Sequence, residues 1–115
     1  RRDTRDKDFV PVDKIRNKTN AILVTMQEDL LNRSRAFREE NTHVIDNYDE
    51  FKKQLDNPGG FFDAHWCGSA ECELKIKEET KATIRLIPFE QSDDSGKCLY
   101  CGGKSEDRVI FARAY

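Results

Sequence analysis

Apolar and charged positions repeat with a helical period along the first third of the chain. From Asp13 onward, apolar residues recur at spacings of three, four and seven, with charged residues between them. No Gly or Pro interrupts the chain between Asp13 and Pro58. The pattern predicts one helix of roughly 25 to 30 residues, with Asp13 or a near neighbour as N-cap. The apolar stripe of this helix consists of Ile15, Ile22, Leu23, Met26, Leu30, Leu31 and Phe37.

Shorter elements follow the long helix. A β-branched run over 42–45 precedes Asn47, and Glu50 lies three residues further on, which is the spacing of a capping box. A second helix is therefore expected, with Phe51 and Leu55 on its inner face. It ends at the Asn-Pro-Gly-Gly turn of residues 57–60. The remaining pattern predicts a strand over 61–66, a helix over 70–80, a strand over 83–89, a polar loop over 91–96 and a strand over 109–115. The predicted fold class is α+β, with a long N-terminal helix, short helices and a small, mainly antiparallel sheet.

Composition narrows the possible functions. The 115 residues are 37% hydrophobic and 37% charged, and 20 basic residues against 22 acidic ones give a net charge of −2. This balance lacks the basic excess of a stand-alone nucleic-acid binder. The longest aliphatic run covers only residues 21–24, so no transmembrane helix is expected. The chain opens with RRDTRDKD, without Met or an apolar signal segment. We therefore expect part of a longer, cytoplasmic protein that has no membrane partner.

Four cysteines carry the strongest chemical signal. Cys67 and Cys72 form a C-x4-C pair, 25 residues separate it from the next pair, and Cys98 and Cys101 form a C-x2-C pair. Two close pairs divided by a long stretch are typical of a structural Zn²⁺ site with four thiolate ligands. Two disulfides, or a redox-active pair at Cys98 and Cys101, remain alternatives. His65 lies near the first pair, but we expect it to be satisfied elsewhere or to face solvent.

Motifs for catalysis are not found in the sequence. It contains no phosphate-binding glycine loop, no G-x-S-x-G and no H-E-x-x-H. Adjacent acidic pairs at 39–40, 78–79 and 93–94 are expected to be solvated surface. The chain by itself is therefore predicted to be non-catalytic, with no catalytic residues assigned.

Several strings around the cysteines resemble a known family. They are WCGSAECE, IKEETKATIRLIPF, GKCLYCGG and the terminal FARAY. Together, over residues 60–115, they resemble the C-terminal zinc-binding domain of prolyl-tRNA synthetase of the eukaryotic and archaeal type. The opening RRDT is similar to the end of that family's anticodon-binding domain, and the predicted long helix is similar to the connecting helix that follows it.

The resemblance implies a domain organisation and a role. It divides the chain into residues 1–12 (the end of the anticodon-binding domain and a linker), 13–59 (a helical connecting region) and 60–115 (the C-terminal zinc-binding module). The parent would be an ATP-dependent class II ligase that activates proline and transfers it to tRNA(Pro) in an upstream catalytic domain, and we expect a homodimer.

The family's zinc ligands map onto Cys67, Cys72, Cys98 and Cys101. In the family, the carboxylate of the terminal tyrosine, here Tyr115, extends toward the catalytic domain. The implied role of this chain is to support that domain. A zinc-ribbon-like module that binds nucleic acid is the alternative.

Overall fold

The computed structural model describes residues 1–91 and 94–114. They form two compact units, Arg1–Glu39 and Glu40–Tyr115, and each unit is considered by itself. The boundary between the units lies near residue 40, so residues 40–59 belong to the same compact unit as the cysteines. The division of the chain into parts of different parent domains stays a prediction.

The first unit is dominated by the predicted long helix. A 3-10 turn over Val12–Lys14 leads into helix α1, which spans Ile15–Glu40. Asp13 lies inside the 3-10 turn rather than at the N-cap, because Pro11 begins that turn. The residues before this 3-10 turn form a turn and irregular structure. No residue of α1 is buried, and five residues of its apolar stripe are exposed: Ile15, Leu23, Leu30, Leu31 and Phe37.

The second unit contains the predicted α+β module. Its elements are β1 (Thr42–Val44), α2 (Tyr48–Asp56), β2 (Phe61–Trp66), α3 (Ala70–Thr80), β3 (Ala82–Leu86), β4 (Gly96–Lys97), β5 (Lys104–Ser105) and β6 (Asp107–Arg113). Four strands form a sheet in the order β1-β2-β6-β3. Only the β1–β2 pair is parallel, so the sheet is mixed and mainly antiparallel. The small β4–β5 hairpin was not anticipated from the sequence.

Element boundaries follow local chemistry. The Asn47 side chain accepts a hydrogen bond from the Glu50 backbone N–H at 2.9 Å, which confirms the predicted cap of α2. Gly60 must be glycine, because its φ is +107° and a Cβ would collide with the Asn41 carbonyl oxygen. β3 ends at Leu86, three residues before the predicted end, where Pro88 removes a ladder donor.

The sheet has one apolar and one polar face. Phe62 and Phe111 are direct register partners, and both pack edge-on against Phe51 of α2, with ring centroids 5.3 and 5.8 Å apart. Ile76 of α3 joins this core and is fully buried. Alternation along the strands turns Asp63, His65 and Arg108 to the opposite face. No helix among the described residues is long and apolar enough to cross a membrane.

Candidate metal centre

The four predicted ligands come together at one end of the sheet. Cys67 directly follows β2, and Cys72 lies in the first turn of α3. Cys98 and Cys101 lie in the turn between β4 and β5. The four sulfur atoms all lie within 4.8 Å of one another, although the two pairs are 25 residues apart in sequence.

The sulfur geometry fits a tetrahedral metal ion. The Cys67 and Cys72 Sγ atoms are 3.6 Å apart, and those of Cys67 and Cys101 are 3.8 Å apart. Four thiolates at the usual Zn–S distance of about 2.3 Å from a tetrahedral centre would be separated by about 3.8 Å. A disulfide requires about 2.05 Å, and all four cysteines are free. The cluster can therefore hold a metal ion through four sulfur ligands.

The turn between β4 and β5 has a fixed backbone shape. The Cys98 N–H donates to the Gly103 carbonyl at 2.8 Å, and the Gly102 N–H donates to the Cys98 carbonyl at 2.9 Å. Gly102 adopts a φ of +69°, a conformation that glycine takes without steric cost. The Leu99 N–H donates to the His65 carbonyl at 2.9 Å and so attaches the turn to the end of β2. These bonds place Cys98 and Cys101 opposite Cys67 and Cys72.

The electrostatics of the cluster favour a bound cation. Burial raises the pKa of the Cys72 thiol to about 12, and the neighbouring sulfurs of Cys67 and Cys101 add to the rise. Burial also raises the pKa of Cys67. Burial opposes ionisation of Cys98 too, but hydrogen bonds from the backbone of Cys101, Tyr100 and Cys67 outweigh it and lower that pKa to about 7. Several adjacent thiolates require a compensating positive charge.

His65 is outside the ligand set and has a structural role. Its ring is buried, with Nδ1 3.3 Å from the Ser105 Oγ and Nε2 3.5 Å from the Asp94 Oδ2. This grouping looks like a catalytic triad, but the Ser105 hydroxyl lies 2.7 Å from the Trp66 carbonyl oxygen and 2.9 Å from that of Asp107. Ser105 is also only 2% exposed, so a substrate could not reach its hydroxyl. The prediction that His65 is satisfied elsewhere is confirmed.

Two aromatic residues and one carboxylate border the cluster. Tyr100, between the two cysteines of the second pair, donates to the Glu79 Oε1 at 3.1 Å. Tyr48 of α2 donates to the Glu79 Oε2 at 2.9 Å. The two tyrosine rings meet edge to face with centroids 5.3 Å apart. No sequence pattern predicts this arrangement, and Glu79 was expected to be ordinary solvated surface.

Tyr115, the predicted docking residue, lies outside the described residues. The chain leading to it emerges from β6, whose last residue, Arg113, pairs with Ala82 of β3. Cys67 lies at the other end of the sheet, where Trp66 pairs with Asp107. The six residue-to-residue steps from Asp107 to Arg113 correspond to about 20 Å along the strand. The cysteine cluster and the end of β6 are therefore at opposite ends of the sheet.

The chain is similar in sequence to a known protein family and to proteins of known name. The family model described as "Prolyl-tRNA synthetase, C-terminal" matches residues 48–115. The chain is 44% identical to a protein named proline–tRNA ligase 2 from Clostridioides difficile and 47% identical to a proline–tRNA ligase from Cytophaga hutchinsonii. Each match covers all of this chain but only 24% and 23% of the respective relative. The chain thus spans about a quarter of the length of the curated relatives it matches.

Solved structures agree with the sequence comparison. The fold is similar to a crystal structure of prolyl-tRNA synthetase from Cryptosporidium parvum complexed with halofuginone and AMPPNP, with a TM-score of 0.84 and 25% identity. That match covers 96% of this chain and 24% of the solved chain. With the family model covering more than half of its residues, this chain belongs to the family of prolyl-tRNA synthetase C-terminal domains.

Proposed function

We propose that the chain is the C-terminal part of a prolyl-tRNA synthetase and that residues 60–115 form a structural zinc module. In this proposal, the upstream domains activate proline with ATP and transfer it to tRNA(Pro). Residues 1–12 end the anticodon-binding domain, and residues 13–59 connect it to the module. The module supports the catalytic domain and takes no chemical part in either step.

The observation that carries the proposal is the four-sulfur cluster in a chain of this family. Cys67, Cys72, Cys98 and Cys101 would hold Zn²⁺, which would supply four bonds crosslinking the β2–α3 junction to the β4–β5 turn. Structural zinc binds with an apparent free energy of about 10–16 kcal/mol at neutral pH. A whole domain is typically stable by only about 5–15 kcal/mol. The zinc module would therefore depend on its metal.

Metal analysis of the purified chain tests the zinc site directly. We expect one equivalent of zinc per chain, retained through gel filtration and removed by a strong chelator. The same preparation should show no proline-dependent ATP–pyrophosphate exchange. A chain free of zinc after purification from zinc-supplemented medium would overturn the metal site, and exchange activity would overturn the supporting role.

The role of Tyr115 is best tested by deleting that residue alone. Removing residues 111–115 would take away Phe111, which is fully buried in the core, and would unfold the module. Deleting Tyr115 alone in the full-length synthetase leaves β6 intact. If its carboxylate reaches the catalytic domain, aminoacylation falls while tRNA binding is retained. Equal loss of activity and tRNA binding would indicate a tRNA-binding tail instead.

Nucleic-acid binding by the zinc module is the competing function. A gel shift of the chain with tRNA at two salt concentrations separates the two functions. Phosphate-mediated binding weakens steeply as salt rises, so tight binding at low salt and loss at high salt would favour the competing function. Weak binding at both concentrations is expected from a chain with a net charge of −2.

A further inference from the structure

Glu79 connects the second cysteine pair to both neighbouring helices. It lies near the C-terminus of α3, and its two carboxylate oxygens accept hydrogen bonds from different tyrosines. One tyrosine, Tyr48, begins α2. The other, Tyr100, is directly followed by Cys101 and lies two residues after Cys98. A single carboxylate thereby joins α2, α3 and the metal-binding turn.

The tyrosines are themselves fixed by packing. Tyr48 stacks on the buried ring of Phe51, with centroids 6.1 Å apart, and Tyr100 meets the Tyr48 ring edge to face. Both rings pack against the hydrophobic core. Tyr100 lies inside the turn between Cys98 and Cys101, which is closed by a hydrogen bond from the Gly102 N–H to the Cys98 carbonyl at 2.9 Å. A displacement of the Tyr100 ring would therefore shift the backbone that positions two of the four sulfurs.

We propose that Glu79 is a positioning residue for the metal centre, which holds the Cys98–Cys101 turn in its metal-binding conformation through Tyr100. This inference rests on the proposed zinc site. The pair of hydrogen bonds that the ionised Glu79 carboxylate accepts is stronger than a pair between neutral groups. It restricts the turn before the metal arrives, so less conformational entropy is lost on binding. Groups that orient metal ligands from outside the coordination sphere commonly change affinity by tenfold or more when removed.

The test is the zinc affinity of the 115-residue chain, measured by competition with a chromophoric chelator. Glu79→Gln keeps the size of the side chain but leaves only one oxygen to accept, and should weaken zinc binding by about tenfold. Tyr100→Phe removes one of the two bonds without touching α3 and should weaken binding in the same direction. Combined with Glu79→Gln, it should add little, because both changes break the same connection.

Glu78→Gln is the matched control. Glu78 precedes Glu79 on the same helix and pairs with Lys75 at 3.7 Å, so its substitution should leave zinc affinity unchanged. With Co²⁺ in place of zinc, Glu79→Gln should also shift the visible absorption of the tetrahedral centre, whereas Glu78→Gln should not.

The outcomes separate this inference from the proposed function. A wild-type chain that binds no zinc overturns both. Zinc binding of equal affinity in wild type, Glu79→Gln and Tyr100→Phe overturns the positioning role alone and leaves the zinc site standing. A merely structural Glu79 would lower the thermal unfolding temperature of the zinc-loaded chain in Glu79→Gln without changing the visible absorption of its Co²⁺ form.

Discussion

At the scale of single residues, the polar face of the sheet depends on Arg108. Its side chain is only 8% exposed, yet it contacts three carboxylates. Nε donates to the Asp63 Oδ1 at 2.7 Å, and the terminal nitrogens lie 3.2 Å from Asp46 and 3.4 Å from Asp94. The backbone N–H of Arg108 donates to the Gln91 Oε1 at 2.9 Å, and the Gln91 Nε2 donates to the Arg108 carbonyl at 3.0 Å. Burial would lower the pKa of this guanidinium, but the hydrogen bond and charge of Asp63 raise it, so Arg108 remains cationic.

Arg108→Met should therefore destabilise the module strongly. The methionine fills similar space, but it leaves the half-buried Asp63 carboxylate without its partner. Removing one member of a buried ion pair costs about 3–5 kcal/mol, and the partial exposure of Asp63 reduces this to about 2–3 kcal/mol. The free energy of unfolding from urea titration measures the effect. Arg85→Met, an exposed arginine on β3, is the control and should change stability by less than about 0.5 kcal/mol.

The cysteine cluster makes a second prediction at this scale. Cys101→Ser replaces a solvent-exposed ligand, so the side chain itself contributes little to packing. If the proposed zinc site is correct, the variant should lose zinc and, with it, the cooperative thermal transition of residues 60–115, because structural zinc would supply a large part of the stability. Zinc content and circular dichroism on heating check this. Lys97→Ser, at an exposed position in β4, should retain both properties, and a Cys101→Ser chain that does so as well would contradict the prediction.

At the scale of elements, the sequence pattern predicted the long elements well. The bounds of β2 and α3 and the cap of α2 follow from local signals that lie within a few residues, namely Asn47, the 57–60 turn and the alternation of Phe62 and Ala64. The β4–β5 hairpin was missed because its two-residue strands have no measurable periodicity. The hairpin forms because a hydrogen bond from the Cys98 N–H to the Gly103 carbonyl closes the turn between its two strands.

The candidate site could be only partly predicted, because sequence patterns report on residues that are close together in the chain. Cysteine spacing alone identified the four sulfurs, since metal chemistry constrains the spacing. Glu79, Tyr48 and Arg108 act through contacts with residues 14 to 62 positions away in the chain. Only the folded sheet brings such residues together, so no local pattern reveals them.

The backbone conformation of the residue that ends α3 limits the stability of the module. Lys81 follows the helix with a φ of +64°, the left-handed conformation in which glycine is favoured and a side chain is strained. Lys81→Gly should stabilise the module by about 0.5–1 kcal/mol, and Lys81→Val should destabilise it, since β-branched residues tolerate this conformation least. Urea denaturation of the two variants should move the midpoint in opposite directions. A shift in the same direction would show that the backbone conformation of Lys81 is not limiting.

At the scale of the whole molecule, the module has one conspicuous apolar edge. Leu86, the last residue of β3, and Ile87 are about half exposed, and Phe89 is fully exposed. β2 and β3 both run antiparallel to β6, so their C-terminal ends lie at the same end of the sheet. The apolar edge is therefore on the side of the cysteine cluster. Contiguous exposed apolar groups are typical of interaction surfaces, which agrees with the proposed attachment to the rest of a synthetase.

Phe89→Ser tests this attachment. In the 115-residue chain it should leave the unfolding free energy within about 0.5 kcal/mol of wild type, because the ring makes no buried contact. In the full-length enzyme it should loosen the module, which limited proteolysis would detect as faster cleavage upstream of residue 60. Val44→Ser, on the opposite edge strand β1, changes a comparably exposed apolar residue and should not alter the cleavage rate. Equal rates for both variants would place the attachment elsewhere.

The strand order also has a consequence for biosynthesis. β6 is the last strand to be translated, yet it lies between β2 and β3 and pairs with both. Translation at about 5–20 residues per second places roughly 2–8 s between the end of β2 and the start of β6. Throughout that interval Phe62 has no Phe111 to pack against, and the edges of β2 and β3 that pair with β6 have no ladder partner. Until β6 is synthesised, the nascent module therefore exposes the apolar surface that β6 later covers. A chain truncated before residue 107 would be a substrate for chaperones and proteases rather than a smaller folded domain.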